Sequence, residues 1–136
     1  MTTVSTSSRC MAWVAVLLAA FAAACAGGDQ PDYSTAEKTL AALVRAENAR
    51  DSKAYADCFV AAEQAGLKST LGDASVITTA GEVKQVAGFT VGMLRYLRDN
   101  KPAGEQPIVF VQEGGLWKAS WTETAKYREK HWQPTD

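Results

Sequence analysis

Apolar and polar residues divide this chain into three regimes. Residues 10–28 carry no charge, and their apolar heart runs from Met11 to Phe21. Small residues follow, Ala22-Ala23-Ala24-Cys25-Ala26-Gly27-Gly28, and a single basic residue, Arg9, precedes the run. A basic start, a short apolar middle and a small-residue exit are the order of a secretory signal peptide. A permanent span needs about 20 predominantly apolar residues, and 10–24 is shorter and alanine-rich. The expected division is a signal over 1–24, a flexible tether over 25–33, one domain over 34–122, and a polar tail or short helix over 123–136.

Within the domain the period changes. Ser34 with Glu37 forms a capping box, and Ala36, Leu40, Leu43 and Val44 follow at helical spacing. Arg50, Asp51 and Ser52 predict a turn and a new cap. A second helix follows, with Tyr55, Cys58, Phe59 and Ala62 on its stripe and Gly66 as its stop. Residues 75–79 are β-branched and predict a strand. Thr79 with Glu82 forms another capping box. Val83, Val86, Ala87, Thr90, Met93, Leu94 and Leu97 then share a stripe that predicts a long helix up to Asn100. On that reading Gly88 and Gly92 lie on its exposed face, or mark close approach by a partner.

Residues 107–112 and 116–121 predict a hairpin, joined at Gly114-Gly115. Placing Glu113 opposite Leu116 puts Phe110 opposite Ala119 and Ile108 opposite Trp121. Ile108, Phe110, Trp117, Ala119 and Trp121 then share one face. The expected fold class is therefore α+β, with N-terminal helices on a small curved antiparallel sheet, in the order helix, helix, strand, helix, strand, strand.

Composition narrows the function classes. The 136 residues are 47% hydrophobic and 21% charged, with a formal net charge of −1. Losing the leader removes Arg9 alone and leaves the balance one charge more negative. No basic field suited to nucleic acid results. Of the three cysteines, Cys10 leaves with the leader. Cys58 is then left with no intramolecular disulfide partner if Cys25 is modified, and is expected to be a small buried residue. The lone histidine, His131, lies in the polar tail, and no ligand spacing for zinc is present. Neither a phosphate loop nor a nucleophile elbow occurs, and no cofactor is expected. Glu47 stands at the centre of the first helix's apolar stripe with Asp51 one turn on. Covered, Glu47 would be a desolvated carboxylate able to act as a base or a ligand contact; left at the end of the core, it would be solvated and inert.

Two resemblances add to this. Ala22-Ala23-Ala24-Cys25 resembles a bacterial lipoprotein box, although that family more often has Leu or Val where Ala22 stands. It implies acylation of Cys25 and anchoring to the outer side of a membrane in the cell envelope; an ordinary cleavage by a signal peptidase would instead release a soluble protein. The segment from Ala46 through Glu47, Asn48, Asp51 and Tyr55 to Phe59 is similar to the opening helices of nuclear transport factor two-like domains. The stretch Phe110 to Lys118, with Glu113-Gly114-Gly115 and Trp117, is similar to their closing hairpin. That resemblance implies a cone of curved sheet and helices around an apolar pocket, with Phe110, Trp117, Trp121 and Glu47 as its candidate lining and a small apolar molecule as its ligand. It implies four or more strands where three are legible, so either 67–79 hides one or the sheet is truncated. The expected function is a membrane-anchored, non-catalytic binding or accessory module. The alternatives are a surface interaction protein without a ligand, or a small enzyme using Glu47 as base.

Overall fold

The computed structural model describes residues 30–67 and 71–134. The expected leader, Cys25 and most of the tether lie outside them. From Asp32 onward the chain forms one unit. Its elements are α1 (Ala36–Asn48), α2 (Ser52–Asp57), α3 (Ala61–Gln64), a 3-10 turn (Ala65–Leu67), β1 (Val76–Val86), β2 (Phe89–Arg98), β3 (Lys101–Glu113), β4 (Leu116–Ser120) and α4 (Trp121–His131). Among the described residues the fold is α+β, with four helices and one four-stranded antiparallel sheet in the order β1-β2-β3-β4.

The largest correction to the expected element order falls between Thr79 and Asn100. The segment predicted as a long helix up to Asn100 is the second half of β1, a turn and the whole of β2. Its helical stripe arises because β2 is covered on both faces. Leu94 faces the cluster under α1, and Val91 faces the one under α4. A strand buried on two sides loses its period of two, and continuous apolar sequence cannot be told from helix by period alone. The fourth strand is therefore β2, not one hidden within 67–79, and the sheet is not cut down to three. The apparent cap at Thr79–Glu82 is a β-bulge between Ala80 and Val83.

All three hairpins use two-residue turns with positive φ at both central positions. These are Ala87 (51°) with Gly88 (84°), Asp99 (52°) with Asn100 (61°), and Gly114 (60°) with Gly115 (79°). This is the type I′ arrangement, whose twist matches that of the strands it joins. The expected register at the last hairpin holds: Glu113 pairs Leu116, Gln112 pairs Trp117 and Phe110 pairs Ala119. Trp121 is corrected from strand to the first residue of α4.

Helix α1 lies on one face of the sheet. Leu40 and Leu43 pack there with Leu94, Ile108, Phe110 and Ala119. Gly92 is not on an exposed helix. A Cβ there would stand 2.8 Å from Phe110 Cε2 and 3.2 Å from Leu40 Cδ2, so the absent side chain lets α1 and Phe110 close over β2. Buried Thr39 donates from Oγ1 to the Trp117 carbonyl at 2.7 Å and ties α1 to β4.

The second expected helix is two. Between α2 and α3 the chain runs alongside β4, with Val60 N donating to Ala119 O at 3.0 Å and Ala119 N to Cys58 O at 2.8 Å. Trp117 N donates to Tyr33 O at 2.8 Å. These bonds cover the outer edge of β4, which would otherwise present unpaired amides. Tyr33 thus packs on the domain as well as ending the expected tether, with Lys118 Nζ 3.7 Å above its ring. Cys58 is fully buried, and burial pushes its thiol up to about 11.

Helix α4 covers the opposite face, where Tyr127 packs with Val91 and Val109. Thr124 Oγ1 accepts the Val109 amide at 2.9 Å and donates to Ser120 O at 2.6 Å. Part of the expected polar tail is therefore built into the fold. His131 ends this helix, exposed, with its ring 5.7 Å from that of Tyr127.

Candidate functional site

Helix α1 ends in a Schellman turn. Arg50 N donates to Glu47 O at 3.2 Å and Asp51 N to Ala46 O at 3.0 Å, with Arg50 in the left-handed region at φ 58°. These two bonds satisfy carbonyls that the helix end leaves open. Asp51 then caps α2, its Oδ1 accepting Ala54 N at 3.0 Å. That role directs its carboxylate to the backbone. The turn brings Glu47, Arg50 and Tyr55 to one side, over the end of the sheet formed by β1 and β2.

A cavity of about 460 Å³ opens there. Its floor is sheet: Val76 and Thr78 from β1, Tyr96 and Arg98 from β2, and Gln106 from β3. Its walls are Glu47, Arg50, Tyr55, Leu67, Gly72, Asp73 and Trp121. Tyr55, Phe59 and Trp121 form a chain of rings, with Tyr55 and Phe59 centroids 5.1 Å apart and Phe59 stacked on Trp121 at 5.7 Å. Trp121 is held from behind by Glu63, which accepts its amide at 2.6 Å and the Ser120 hydroxyl at 2.8 Å. A carboxylate at the start of α4 satisfies orphan donors and suits the positive end of the helix dipole.

Electrostatically the cavity is uneven. Glu47 is half-buried, and its Oε2 has no hydrogen-bond partner. Burial raises its pKa above the usual carboxylate value, and the Thr78 hydroxyl and the Arg50 charge oppose that only in part. Tyr96 donates no charge. Its phenol is pushed up by burial first, then by the neighbouring Glu47 and Tyr55, while its oxygen accepts from Gln106 Nε2 at 2.6 Å. At the rim, Arg98 pairs with Asp73 at 3.3 Å. Backbone and side-chain hydrogen bonds from Ser75 hold Asp73 below its usual value.

Of the four candidate lining residues, the structure brings Glu47 and Trp121 to this cavity. Phe110 is buried in the core beneath α1, and Trp117 packs at the side of that core; neither lines the cavity. Those two were grouped with Trp121 because all three share one face of an extended hairpin, and the hairpin ends one residue too early for that. Tyr96 and Gln106 also line the cavity, and neither stands out in the sequence: Tyr96 falls in the segment expected to be helix, and Gln106 precedes the apolar run that marks the strand. The signal for them is alternation: Leu94 and Tyr96 on β2, and Ile108 and Gln106 on β3, fall on one face of the sheet.

Among the described residues, no group of His, Cys, Asp or Glu side chains is placed to hold a metal ion. Among those residues, no helix is long and apolar enough to cross a membrane. No protein-family model, no curated protein and no solved structure matches this chain.

Proposed function

We propose that this chain is an exported, lipid-anchored binding module of the cell envelope. Cys25 is its acylated first residue after processing, and the cavity between α1 and the sheet is its ligand site. The leader pattern over 1–24 supports the address. The task is supported by one observation above all: Glu47 Oε2 is buried at the cavity with no hydrogen-bond partner. A buried acceptor without a donor costs about 1–3 kcal/mol, and a ligand that supplies a donor removes that cost. The nuclear transport factor two-like resemblance, and a cone of sheet and helices closed around this cavity, are part of the proposal; the packing of α1 on a four-stranded antiparallel sheet supports them.

The ligand differs from the small apolar molecule first expected. Trp121 and Leu67 supply apolar surface, while Glu47, Tyr96 and Gln106 supply polar contacts. A small molecule with one apolar part and one hydrogen-bond donor fits both.

Fatty-acid labelling of producing cells tests the address: label present on the wild type and lost in Cys25→Ser supports it, and an unlabelled wild type ends it. A fragment library tests the task, read by the NMR shift of the Trp121 indole. Fragments that move that resonance in the wild type and bind more weakly to Glu47→Gln support a binding site. A library that leaves it unmoved ends the reading.

A second reading follows from the burial of Glu47, which raises its pKa and makes the carboxylate a stronger base. In that case Glu47→Gln keeps ligand binding and loses turnover. Equal turnover in both proteins removes it.

A further inference from the structure

The cavity wall holds two charged side chains that enter no ion pair among the described residues. Glu47 has its buried, unpartnered Oε2. Arg50 enters no ion pair among those residues, and its guanidinium donates one long bond, to Leu71 O at 3.4 Å. The two do not pair with each other. The other charged groups of the wall, Arg98 and Asp73, answer one another at the rim. Among the described residues of the wall, one negative and one positive group are therefore left without an ion pair. Their exposure differs: Glu47 is half-buried and Arg50 is exposed, so the carboxylate is the inner group and the guanidinium the outer one.

The backbone points to the same residue. Arg50 occupies the position after a helix where glycine is preferred, at φ 58°. A side chain there costs about 1 kcal/mol or more relative to glycine. A strained residue whose side chain lines a cavity is a candidate for a ligand contact.

We propose that the cavity takes a small zwitterion of the free amino acid class, with its ammonium on Glu47, its carboxylate on Arg50 and an apolar side chain against Trp121 and Leu67. This rests on the binding-module reading and narrows its ligand. An ammonium provides the donor that Glu47 Oε2 lacks, and a charge-assisted hydrogen bond is roughly twice as strong as a neutral one. A guanidinium matches a carboxylate in a two-bond fork. A plain amine leaves Arg50 unanswered and is repelled by it. A plain carboxylate brings a second negative charge beside Glu47. The volume of about 460 Å³ lies within the usual range for small-molecule sites.

The test titrates the purified chain with L-phenylalanine, phenethylamine, 3-phenylpropionate and indole, read by the Trp121 indole resonance. L-phenylalanine is expected to bind at least tenfold tighter than the amine or the acid. Glu47→Gln weakens L-phenylalanine at least tenfold and leaves 3-phenylpropionate unchanged or tighter. Arg50→Asn, which keeps a residue tolerant of the left-handed turn, abolishes the preference for L-phenylalanine over phenethylamine. Equal binding of all three charged probes, or L-phenylalanine affinity unmoved by both substitutions, overturns the proposal. Binding of indole without any charged probe overturns it and leaves the binding module standing. Silence from all four probes and from the fragment library overturns both.

Discussion

Asn48 pairs with Thr78 as if it were one residue of a further strand. Its Oδ1 accepts the Thr78 amide and its Nδ2 donates to the Thr78 carbonyl, both at 2.8 Å. The last residue of α1 is thereby clamped to the free edge of β1. Glu47, one residue earlier, is held over the floor of the cavity as a consequence. Asn48→Ala removes both bonds and leaves two edge groups to water, so a loss of about 1–2 kcal/mol is expected. The denaturant midpoint measures it. Faster hydrogen exchange at the Thr78 amide than at central strand amides locates it.

Glu47 makes stability depend on pH in a definite direction. Its pKa is raised in the folded chain by burial, against about 4.3 in an unfolded chain. The folded state therefore binds this proton more tightly. The full stability is present below the unfolded value and is lost as pH rises through the folded one. Glu47→Gln removes that slope and is at least as stable as the wild type above the window. Melting curves of the two proteins across pH 3–8 give the difference directly, and a wild type that gains stability relative to the variant on raising the pH contradicts the burial of Glu47.

At Gly92 the space is already taken. Alanine there drives a Cβ to 2.8 Å from Phe110 Cε2, in the middle of the α1–sheet contact. Overpacking of this kind costs about 1–3 kcal/mol. Gly66, whose Cβ would meet nothing within 4 Å, is the control. Its replacement by alanine stays within about 0.5 kcal/mol in chemical denaturation.

The first hairpin is less well served by its sequence than the third. Ala87 holds φ 51° ahead of Gly88, where Asn-Gly is the favoured pair. Ala87→Asn is expected to stabilise by about 1 kcal/mol, seen as a rise in the melting temperature. Because residue 87 is exposed, a packing effect does not obscure the result.

How much of this could be seen beforehand differs by element. Helix α1, the Asp51 cap and the β3–β4 register were legible, because each rests on neighbours in sequence: a 3.6-residue stripe, a side chain capping an amide three residues on, and a Gly-Gly turn. Residues 82–98 were not. Their apolar positions serve two faces at once, and a turn at Ala87-Gly88 without asparagine gave little punctuation. The cavity was half legible. Glu47 stood out as a carboxylate in an apolar stripe, whereas Trp121 was named for a strand it does not belong to.

Local chemistry by itself determined the fold class, the Asp51 cap and the closing hairpin, and marked Glu47 as a carboxylate in an apolar stripe, since each depends on residues a few positions apart. Tertiary structure decided which strands pair, why Gly92 must be small, and that Glu47, Tyr96, Gln106 and Trp121 meet around one space. Those residues come from four different elements. Their meeting depends on α1 and α4 covering opposite faces of the sheet, and no spacing along the chain encodes that.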